Sequence, residues 1–342
     1  MILSSVRKLV IALCLMSLMG LASCSESGAE TGNTQNGNSQ TEKPQKGQAS
    51  TEAGRRFVEA SGGLVTSVWS DRAYALHDNV NVLEMEYTGD YTGEKELYSM
   101  FVFEVDLSGD VTIMSTCADD DPLSIGKDES HFTKLQIIRE QLSAMQKKRP
   151  SVTVLGGVNG DFFYGATSAI KKNNLPHGVM HKDGVCLKGT FDGGEVCNAF
   201  AVLDDGTAAV LSQTEYAACK DRITEAIGGR QRLLDGGKIV SNTAKLDPRT
   251  AVGVTADGKK VVIVVVDGRN DSYSVGASYP ILSKIMLAYG VTDAVNLDGG
   301  GSSTFVVREG NGDAKEVFKT HNRPSDKTGD RAVANGLAIV QK

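Results

Sequence analysis

Three aspartates stand where apolar stretches give way to loops: Asp161, Asp267 and Asp298. A carboxylate at the end of a buried strand is held at the edge of a sheet, where a cleft can form. Carboxylates gathered there can act as general acid and general base, or they can ligate a divalent cation. The residue pattern leaves these roles open among the three aspartates, with Asp298 and Asp161 as the candidate cation ligands.

The segment after Asp298 has almost no side chains. Glycine permits a positive φ and lets a ligand approach the backbone closely. Backbone amides and hydroxyls in such a segment can form an anion-binding concavity, which beside a carboxylate suits a phosphoryl or sugar-phosphate substrate. No lysine follows the glycines, so the segment is not a P-loop. Its predicted binding residues are Gly299, Gly300, Gly301, Ser302 and Ser303.

Three arginines lie in comparable short motifs: Arg249, Arg269 and Arg331. A guanidinium can bind a phosphate through two parallel hydrogen bonds, so these arginines are candidates for the phosphate clamp. The alternative for each is an ion pair with one of the aspartates. His177, in a glycine-bounded turn after Pro176, is a weaker candidate for substrate contact, since structural histidines are more common.

The elements that position these residues follow from hydrophobic periodicity. Spacings of three and four between Phe132 and Met145 predict an amphipathic helix that ends before Pro150, and Pro280 predicts the start of another helix. Hairpins are predicted for 100–106 with 111–115 and for 250–255 with 260–266. Further strands are predicted at 152–158, 293–297, 304–307 and 337–340. The predicted class is α+β, with mixed, largely antiparallel sheets and a few packing helices.

The N-terminal sequence predicts that the protein is exported from the cytoplasm. Residues 1–23 have a basic start, an apolar centre and small residues at the end, as in a secretory signal peptide, and Leu21-Ala22-Ser23-Cys24 resembles a bacterial lipobox. We therefore expect a lipoprotein anchored to the cell envelope by a lipid on Cys24. Residues 24–56 are polar and predict a flexible tether. Residues 57–150 form a β-rich part whose role the sequence leaves open. Residues 151–342 form the predicted catalytic domain.

Composition and charge limit the classes of molecule that the protein is expected to bind. The chain has 342 residues, 36 Lys+Arg and 42 Asp+Glu, and a net charge of −6, which argues against a nucleic-acid partner. The sequence has no nucleophile elbow of the serine hydrolases. Four cysteines remain beyond Cys24, and outside the cytoplasm they can pair or stay as buried thiols. A disulfide between Cys186 and Cys197 would close a glycine-rich turn.

Taken in order, the motifs of the C-terminal half resemble those of the phosphodiester glycosidase family. The resemblance covers about residues 150–342, and the string from Asn296 to Thr304 is its most specific part. In the last motif the family commonly has Gly-Glu-Arg, whereas this chain has Gly-Asp-Arg. The motifs are Asn159-Gly160-Asp161-Phe162-Phe163, Pro176-His177-Gly178, Asp235-Gly236-Gly237-Lys238, Pro248-Arg249-Thr250-Ala251-Val252-Gly253, Val266-Asp267-Gly268-Arg269, Asn296-Leu297-Asp298-Gly299-Gly300-Gly301-Ser302-Ser303-Thr304 and Asp330-Arg331-Ala332-Val333-Ala334-Asn335-Gly336.

The resemblance implies hydrolysis of the glycosidic bond of a sugar-1-phosphodiester in a cell-envelope, exopolysaccharide or host glycan. The three arginines and the loop 299–303 would then hold the phosphate, and Asn159 and Asn335 would bind sugar hydroxyls or phosphate. Asp161, Asp267 and Asp298 would supply the acid, the base or the ligands of a divalent cation. Two alternatives remain: a non-catalytic glycan-binding lipoprotein, and a metal-dependent phosphodiesterase that breaks the P–O bond.

Overall fold

The computed structural model describes residues 47–121, 134–165, 174–194 and 196–342. The predicted signal peptide and Cys24 lie outside these ranges. Within the described ranges, no helix combines the length and the apolar character required to cross a bilayer.

Four α-helices and eighteen strands make up the regular structure of the described residues. The helices are α1 (Glu52–Ala60), α2 (Ile138–Lys148), α3 (Gln213–Cys219) and α4 (Tyr279–Ala288). The strands are β1 (Val65–His77), β2 (Val80–Asp90), β3 (Lys95–Asp106), β4 (Val111–Cys117), β5 (Thr153–Asn159), β6 (Met180–Lys182), β7 (Val185–Lys188), β8 (Asn198–Leu203), β9 (Ala208–Leu211), β10 (Ile223–Gly229), β11 (Arg232–Asp235), β12 (Lys238–Ile239), β13 (Arg249–Val254), β14 (Lys260–Val266), β15 (Asp293–Asn296), β16 (Phe305–Arg308), β17 (Phe318–Thr320) and β18 (Asn335–Gln341).

These strands form three antiparallel sheets. The largest has the order β1-β2-β3-β14-β13-β15-β11-β12, and the two five-stranded sheets have the orders β7-β6-β10-β8-β9 and β17-β16-β5-β18-β4. Strands from residues 57–150 therefore lie beside strands from residues 151–342 in two of the sheets. The observed α+β class with largely antiparallel sheets confirms the prediction.

The large sheet lies between two apolar layers. One of its faces packs against α1 and α4, for example at Phe57 and Ile285, and the other packs against the two smaller sheets. Helix α2 covers the outer face of the third sheet through Ile138 and Leu142. Strand β14 is buried on both faces because it lies at the centre of this arrangement, which explains its unbroken run of apolar residues.

Several predicted elements are confirmed. Strands β13 and β14 pair as the predicted hairpin, with Arg249 opposite Val266. Helix α4 begins at Tyr279 with Pro280 in its first turn, and the Ser278 hydroxyl caps it by accepting from the amide of Ile281. Helix α2 is present but begins at Ile138, later than the periodicity indicated.

The predicted hairpin of 100–106 with 111–115 is wrong. Strand β3 has β2 on one side and β14 on the other, so both of its hydrogen-bonding edges are occupied. Strand β4 instead pairs with β18 in another sheet. The turn at Ser108-Gly109-Asp110 therefore connects two layers rather than two neighbouring strands.

Residues 47–56, which the prediction placed in the tether, are part of the folded structure. Gly47 bridges to Val68, and the Asp71 carboxylate accepts hydrogen bonds from the backbone amides of Ser50 and Thr51 at 2.7 and 2.8 Å. Thr51 caps α1, which begins at Glu52. The carboxylate of one residue on β1 thus orders a polar segment that composition alone assigned to the tether.

The four cysteines beyond Cys24 are free thiols in the structure, and Cys186 and Cys197 are not joined. Cys117 and Cys197 are buried, and burial raises the pKa of both thiols. The absence of pairs agrees with the interpretation as free thiols, but burial does not hold for all four, since Cys186 is exposed and Cys219 is half-buried.

Phe305 joins the layers, because its ring stacks on Phe103 of the large sheet with 4.0 Å between centroids. We expect Phe305→Ala to lower the free energy of unfolding by about 3–5 kcal/mol, since it leaves a cavity between two sheets. Ile239→Ala removes an apolar side chain that is 41% exposed, and it should lower the free energy of unfolding by less than about 1 kcal/mol. Urea denaturation of both variants measures the difference, and equal losses would contradict this account of the core.

Candidate active site

Strand pairing brings the predicted motifs to one end of the fold. In antiparallel pairs, the end of one strand lies beside the start of its neighbour. Gly336 near the start of β18 is opposite Asn159 at the end of β5. Ala251 of β13 is opposite Asn296 at the end of β15. The segments that follow β5, β14 and β15 therefore leave the sheets near the starts of β13 and β18.

Asn159 holds three of these segments together. Its side-chain oxygen accepts from the Thr250 hydroxyl at 2.7 Å and from the Thr304 amide at 3.1 Å, and its NH2 group donates to the backbone carbonyl of Asp298 at 2.7 Å. The side chain is fully buried. Its amide is engaged by the protein, so Asn159 positions these segments, and substrate binding by Asn159 stays a prediction.

Asn335 has a similar structural role on the other side of the site. Its side-chain oxygen accepts from the Asp161 amide at 2.8 Å, while its NH2 group lies 3.9 Å from the Met180 sulfur. Asn335 is also fully buried. It therefore orients Asp161, and substrate binding by Asn335 stays a prediction.

Asp161 is a buried carboxylate with one oxygen bound and the other without a hydrogen-bond partner. Oδ2 accepts from the Gly178 amide at 2.6 Å, whereas Oδ1 is buried and has no hydrogen bond. Gly228 packs so closely that a Cβ at that position would overlap the carboxylate. The carboxylate thus lies in a space that only glycine leaves open.

Asp298 lies close to Asp161 and is half-buried. Its Oδ1 accepts from the Gly299 amide at 2.9 Å, and its own amide donates to the carbonyl of Gly160, the residue before Asp161. Burial raises the pKa of Asp161 to about 7 and that of Asp298 to about 6, and the Asp298 charge adds to the rise at Asp161. Near neutral pH the pair therefore holds about one proton.

Two residues beside this pair complete what we call the acidic centre, defined as Asp161, Asp298, Arg230 and His177. Arg230 follows β10, and its charge lowers the pKa of both Asp298 and His177, although burial is the largest cause of the shift at His177. The His177 ring packs on Tyr164 with 4.3 Å between centroids. His177 was a weak candidate from sequence, and Arg230 was missed. Arg230 could have been found by the criterion used for the aspartates, because it is a charged residue directly after a strand.

Unpartnered polar atoms concentrate in the acidic centre. Among the described residues, seven buried side-chain nitrogen or oxygen atoms have no hydrogen bond, and three of them are Asp161 Oδ1, His177 Nδ1 and Arg230 Nε. Buried polar atoms are nearly always hydrogen-bonded, so each exception requires an explanation. A polar ligand that enters between these side chains would supply the missing partners.

Most amides of the loop 299–303 are engaged by the protein itself, and anion binding by this loop stays a prediction. The amides of Gly299, Gly300, Ser302 and Ser303 all donate to oxygens of the protein, three of them to backbone carbonyls. The glycines are needed for close packing and for conformation. A Cβ at Gly301 would overlap the Asp326 carboxylate, and Gly300 has a φ of 62°.

Arg331 is the predicted arginine that the structure links to Asp298. It donates two hydrogen bonds to the Asp326 carboxylate at 2.7 and 2.8 Å and one to the Ser302 hydroxyl at 3.2 Å. Ser302 in turn hydrogen-bonds to Asp298, and the charge of Arg331 also lowers the pKa of that carboxyl group. Its side chain is 37% exposed, so a phosphate in solvent can reach it.

Arg269 lies against the other side of the loop 299–303. Its Nε donates to Asp247 at 3.1 Å, and a Cβ at Gly300 would be 2.9 Å from its Nη2. Its side chain is about half exposed. It therefore remains available to an anionic ligand as well as to Asp247.

Arg249 is enclosed by the protein. Its guanidinium lies over the Tyr279 ring at 4.6 Å and donates to the carbonyls of Ala277 and Lys245. The side chain is nearly buried. Its donors tie the start of β13 to the segment before α4, and a phosphate clamp at Arg249 stays a prediction.

Asp267 differs from the other two aspartates because both of its oxygens are occupied. They accept from Asn322 Nδ2 at 2.8 Å, the Arg323 amide at 2.7 Å and the Tyr273 hydroxyl at 3.1 Å. Burial raises its pKa to about 6. Asp267 thus anchors the segment that leads to Asp326 and Arg331, and it is better described as a positioning residue than as a member of the acid–base pair.

The described part of the chain contains no group of three or more His, Cys, Asp or Glu side chains arranged to hold a metal ion. Asp161 and Asp298, the candidate cation ligands from sequence, form a pair of carboxylates next to a guanidinium.

Comparisons with known proteins identify the family of this chain. A family model described as phosphodiester glycosidase matches residues 153–340, which is more than half of the chain. The chain therefore belongs to the phosphodiester glycosidase family. No curated protein sequence matches it.

Two solved structures share the fold. The first is the zebrafish N-acetylglucosamine-1-phosphodiester alpha-N-acetylglucosaminidase catalytic domain, auto-inhibited by its pro-peptide. It is 22% identical, with a TM-score of 0.54 over 80% of this chain and 88% of that chain. The second is a hypothetical protein from Synechocystis, 11% identical, with a TM-score of 0.53 over 80% of this chain and 64% of that one.

The raised pKa of Asp161 predicts a pH-dependent stability difference. The folded state keeps a proton on this carboxyl group up to about pH 7, whereas the unfolded chain loses it near pH 4. The wild type should therefore lose stability as pH rises from 4 to 7, and Asp161→Asn should lack the part of this loss that comes from Asp161. Between pH 4 and pH 8, we expect the free energy of unfolding of the variant to rise relative to that of wild type by on the order of 2–4 kcal/mol.

Chemical denaturation at several pH values measures this difference. Asp257→Asn, in an exposed turn, is the control, because hydrogen bonds to Thr255 and Lys259 lower the pKa of Asp257 rather than raise it. If the stability difference between wild type and Asp161→Asn did not change with pH, the pKa of Asp161 would be the same in the folded and the unfolded chain, which would contradict the prediction.

Proposed function

We propose that this protein hydrolyses the glycosidic bond of a sugar-1-phosphodiester. Family membership supports this reaction type. The observation that carries the proposal is the acidic centre: buried Asp161 and half-buried Asp298, both with a raised pKa, beside a guanidinium and several unpartnered polar atoms. Groups with separated pKa values in one site are suited to act as acid and base.

The chemistry of the leaving group fits this set of side chains. The bond from the anomeric carbon to the phosphate oxygen breaks, and a phosphate monoester departs with its charge spread over several oxygens. Such a leaving group needs less proton donation than an alcohol does. It needs cationic groups near the departing oxygens, and Arg230 and Arg331, which both act on Asp298, are the candidates for this role.

The two carboxyl groups have different environments and therefore different roles. Hydrogen bonds from Ser302 and Gly299, with the charges of Arg331 and Arg230, favour the ionised form of Asp298. Asp298 would take a proton from the attacking water or stabilise the positive charge that develops on the sugar. Asp161, with the higher pKa, would hold a proton and donate it to the leaving group or to a sugar oxygen.

The proposal is tested with a sugar-1-phosphodiester such as UDP-N-acetylglucosamine, from which the enzyme should release free sugar. Asp298→Asn should lower kcat by about 10²- to 10⁴-fold, as expected for loss of a general acid–base group. Asp257→Asn, an exposed control, should keep wild-type activity. The pH profile of kcat/KM should be bell-shaped, with its limbs near pH 6 and 7. Full activity of Asp298→Asn with unchanged stability would remove Asp298 from the mechanism.

Product analysis in ¹⁸O-labelled water separates the alternatives. Label in the released sugar supports glycosidic cleavage, whereas label in the phosphate supports a phosphodiesterase that breaks the P–O bond. A loss of activity with a chelator would indicate a divalent cation. Absence of any hydrolysis, together with binding of glycans, would support the non-catalytic alternative.

We also propose that the protein is a bacterial lipoprotein held at the cell envelope by a lipid on Cys24. The basic and apolar order of residues 1–23 and the lipobox-like string before Cys24 support this proposal. The lipid would keep the acidic centre close to glycans of the envelope.

Replacement of Cys24 tests the anchor. In a bacterial host, Cys24→Ala should abolish incorporation of labelled palmitate and move the protein from the membrane fraction to the soluble fraction. Cys14→Ala, within the predicted signal peptide, is the matched control and should leave both unchanged. Retention of label in the Cys24 variant would contradict the assignment.

A further inference from the structure

Trp69 is the single tryptophan of the chain, and its side chain is 63% exposed. It lies in a β-bulge of the edge strand β1: Val68 pairs with Tyr87 and Ser70 pairs with Glu86, so Trp69 is the extra residue between them. Bulges redirect a side chain and are frequent beside binding sites. The indole Nε1 donates to the Thr88 hydroxyl at 2.8 Å, which holds the exposed ring in place.

The indole forms one wall of a cleft that crosses β1, β2 and β3. The cleft has a volume of about 290 Å³, and its other walls include Glu86, Leu97, Ser272 and Tyr273. Ligand clefts have volumes from about 300 Å³ upward, so the space suits one small ring rather than a large cofactor. Aromatic surface combined with a few polar groups is the usual lining of such clefts.

Hydrogen bonds connect this cleft to the candidate active site. The Tyr273 hydroxyl donates to Asp267, which accepts from Asn322, and Asn322 donates to the carbonyl of Ser303 in the loop 299–303. The Arg323 guanidinium lies 4.0 Å from the centre of the Tyr273 ring. Tyr273 therefore contributes both to the wall of the cleft and to the support of the loop that follows Asp298.

We propose that this cleft, which we call the Trp69 cleft, binds a neutral sugar ring of a glycan that carries the phosphodiester. The inference rests on the proposed function and adds to it a binding site for a neutral sugar outside the acidic centre. A pyranose ring has an apolar C–H face that matches the fixed indole and hydroxyls at its edge that match Glu86 and Ser272. The Glu86 carboxylate disfavours an anionic ring, so the phosphate goes to the arginines and the neutral sugar to the indole.

The experiment compares two substrates that share the cleaved bond. One is N-acetylglucosamine-1-phosphate esterified to methanol, and the other carries the same phosphodiester on a neutral trisaccharide. Trp69→Ala should raise KM for the trisaccharide substrate at least tenfold with little change in kcat. The same variant should leave KM for the methyl ester unchanged. Trp69→Phe, which keeps an aromatic face, should restore part of the affinity.

Val185→Ala is the matched surface control, since Val185 is an apolar side chain that is 57% exposed in another sheet. It should leave KM for both substrates unchanged. Equal KM for wild type and Trp69→Ala on the trisaccharide substrate would overturn the proposal.

Tryptophan fluorescence gives a readout that does not need catalysis, because Trp69 is the only tryptophan. Titration with the free neutral trisaccharide should shift or quench the emission in a saturable way. Saturable binding without hydrolysis of either substrate would reject the proposed reaction and keep the Trp69 cleft as a glycan site. Hydrolysis with neither a fluorescence change nor a KM effect would reject the cleft and keep the reaction.

Discussion

The placement of a buried carboxyl group, Asp161, close to a half-buried one, Asp298, is the constraint on which the rest of the site depends. Ionised carboxylates are costly to bury, and a neighbouring carboxylate adds to that cost. Asp161 tolerates this environment by a raised pKa that favours its protonated form, and the charges of Arg331 and Arg230 favour the ionised form of Asp298. The same arrangement that costs stability makes the pair reactive near neutral pH.

A small number of buried amide side chains and glycines hold the two carboxyl groups in this unfavourable arrangement. Asn159 fixes the backbone of Asp298, and Asn335 fixes the backbone of Asp161. Gly228 leaves the space that the Asp161 carboxylate occupies. These residues do not need to touch a substrate to matter, because each one determines where a reactive group lies.

Much of this architecture could be predicted from local sequence patterns. The alternation and length of apolar runs located β5, β13, β14 and β18 and the helix α4, and charged residues after strand ends pointed to Asp161 and Asp298. Local patterns failed where a partner far away in the sequence decides the outcome. The turn at Ser108-Gly109-Asp110 has the sequence of a hairpin, yet β3 already has two neighbours, so β4 joins another sheet.

The sequence by itself determined which residue types could do chemistry and which segments would form strands, because both depend on side-chain character and near-neighbour spacing. Only the tertiary structure decided how those residues divide the work. Asp267 has the same local setting as Asp298, yet hydrogen bonds from Asn322 and Arg323 make it an anchor. Arg230 enters the acidic centre because its strand belongs to another sheet that packs on the first. Contacts between distant segments follow from packing and from competition for hydrogen-bond partners, which the order of residues along the chain does not contain.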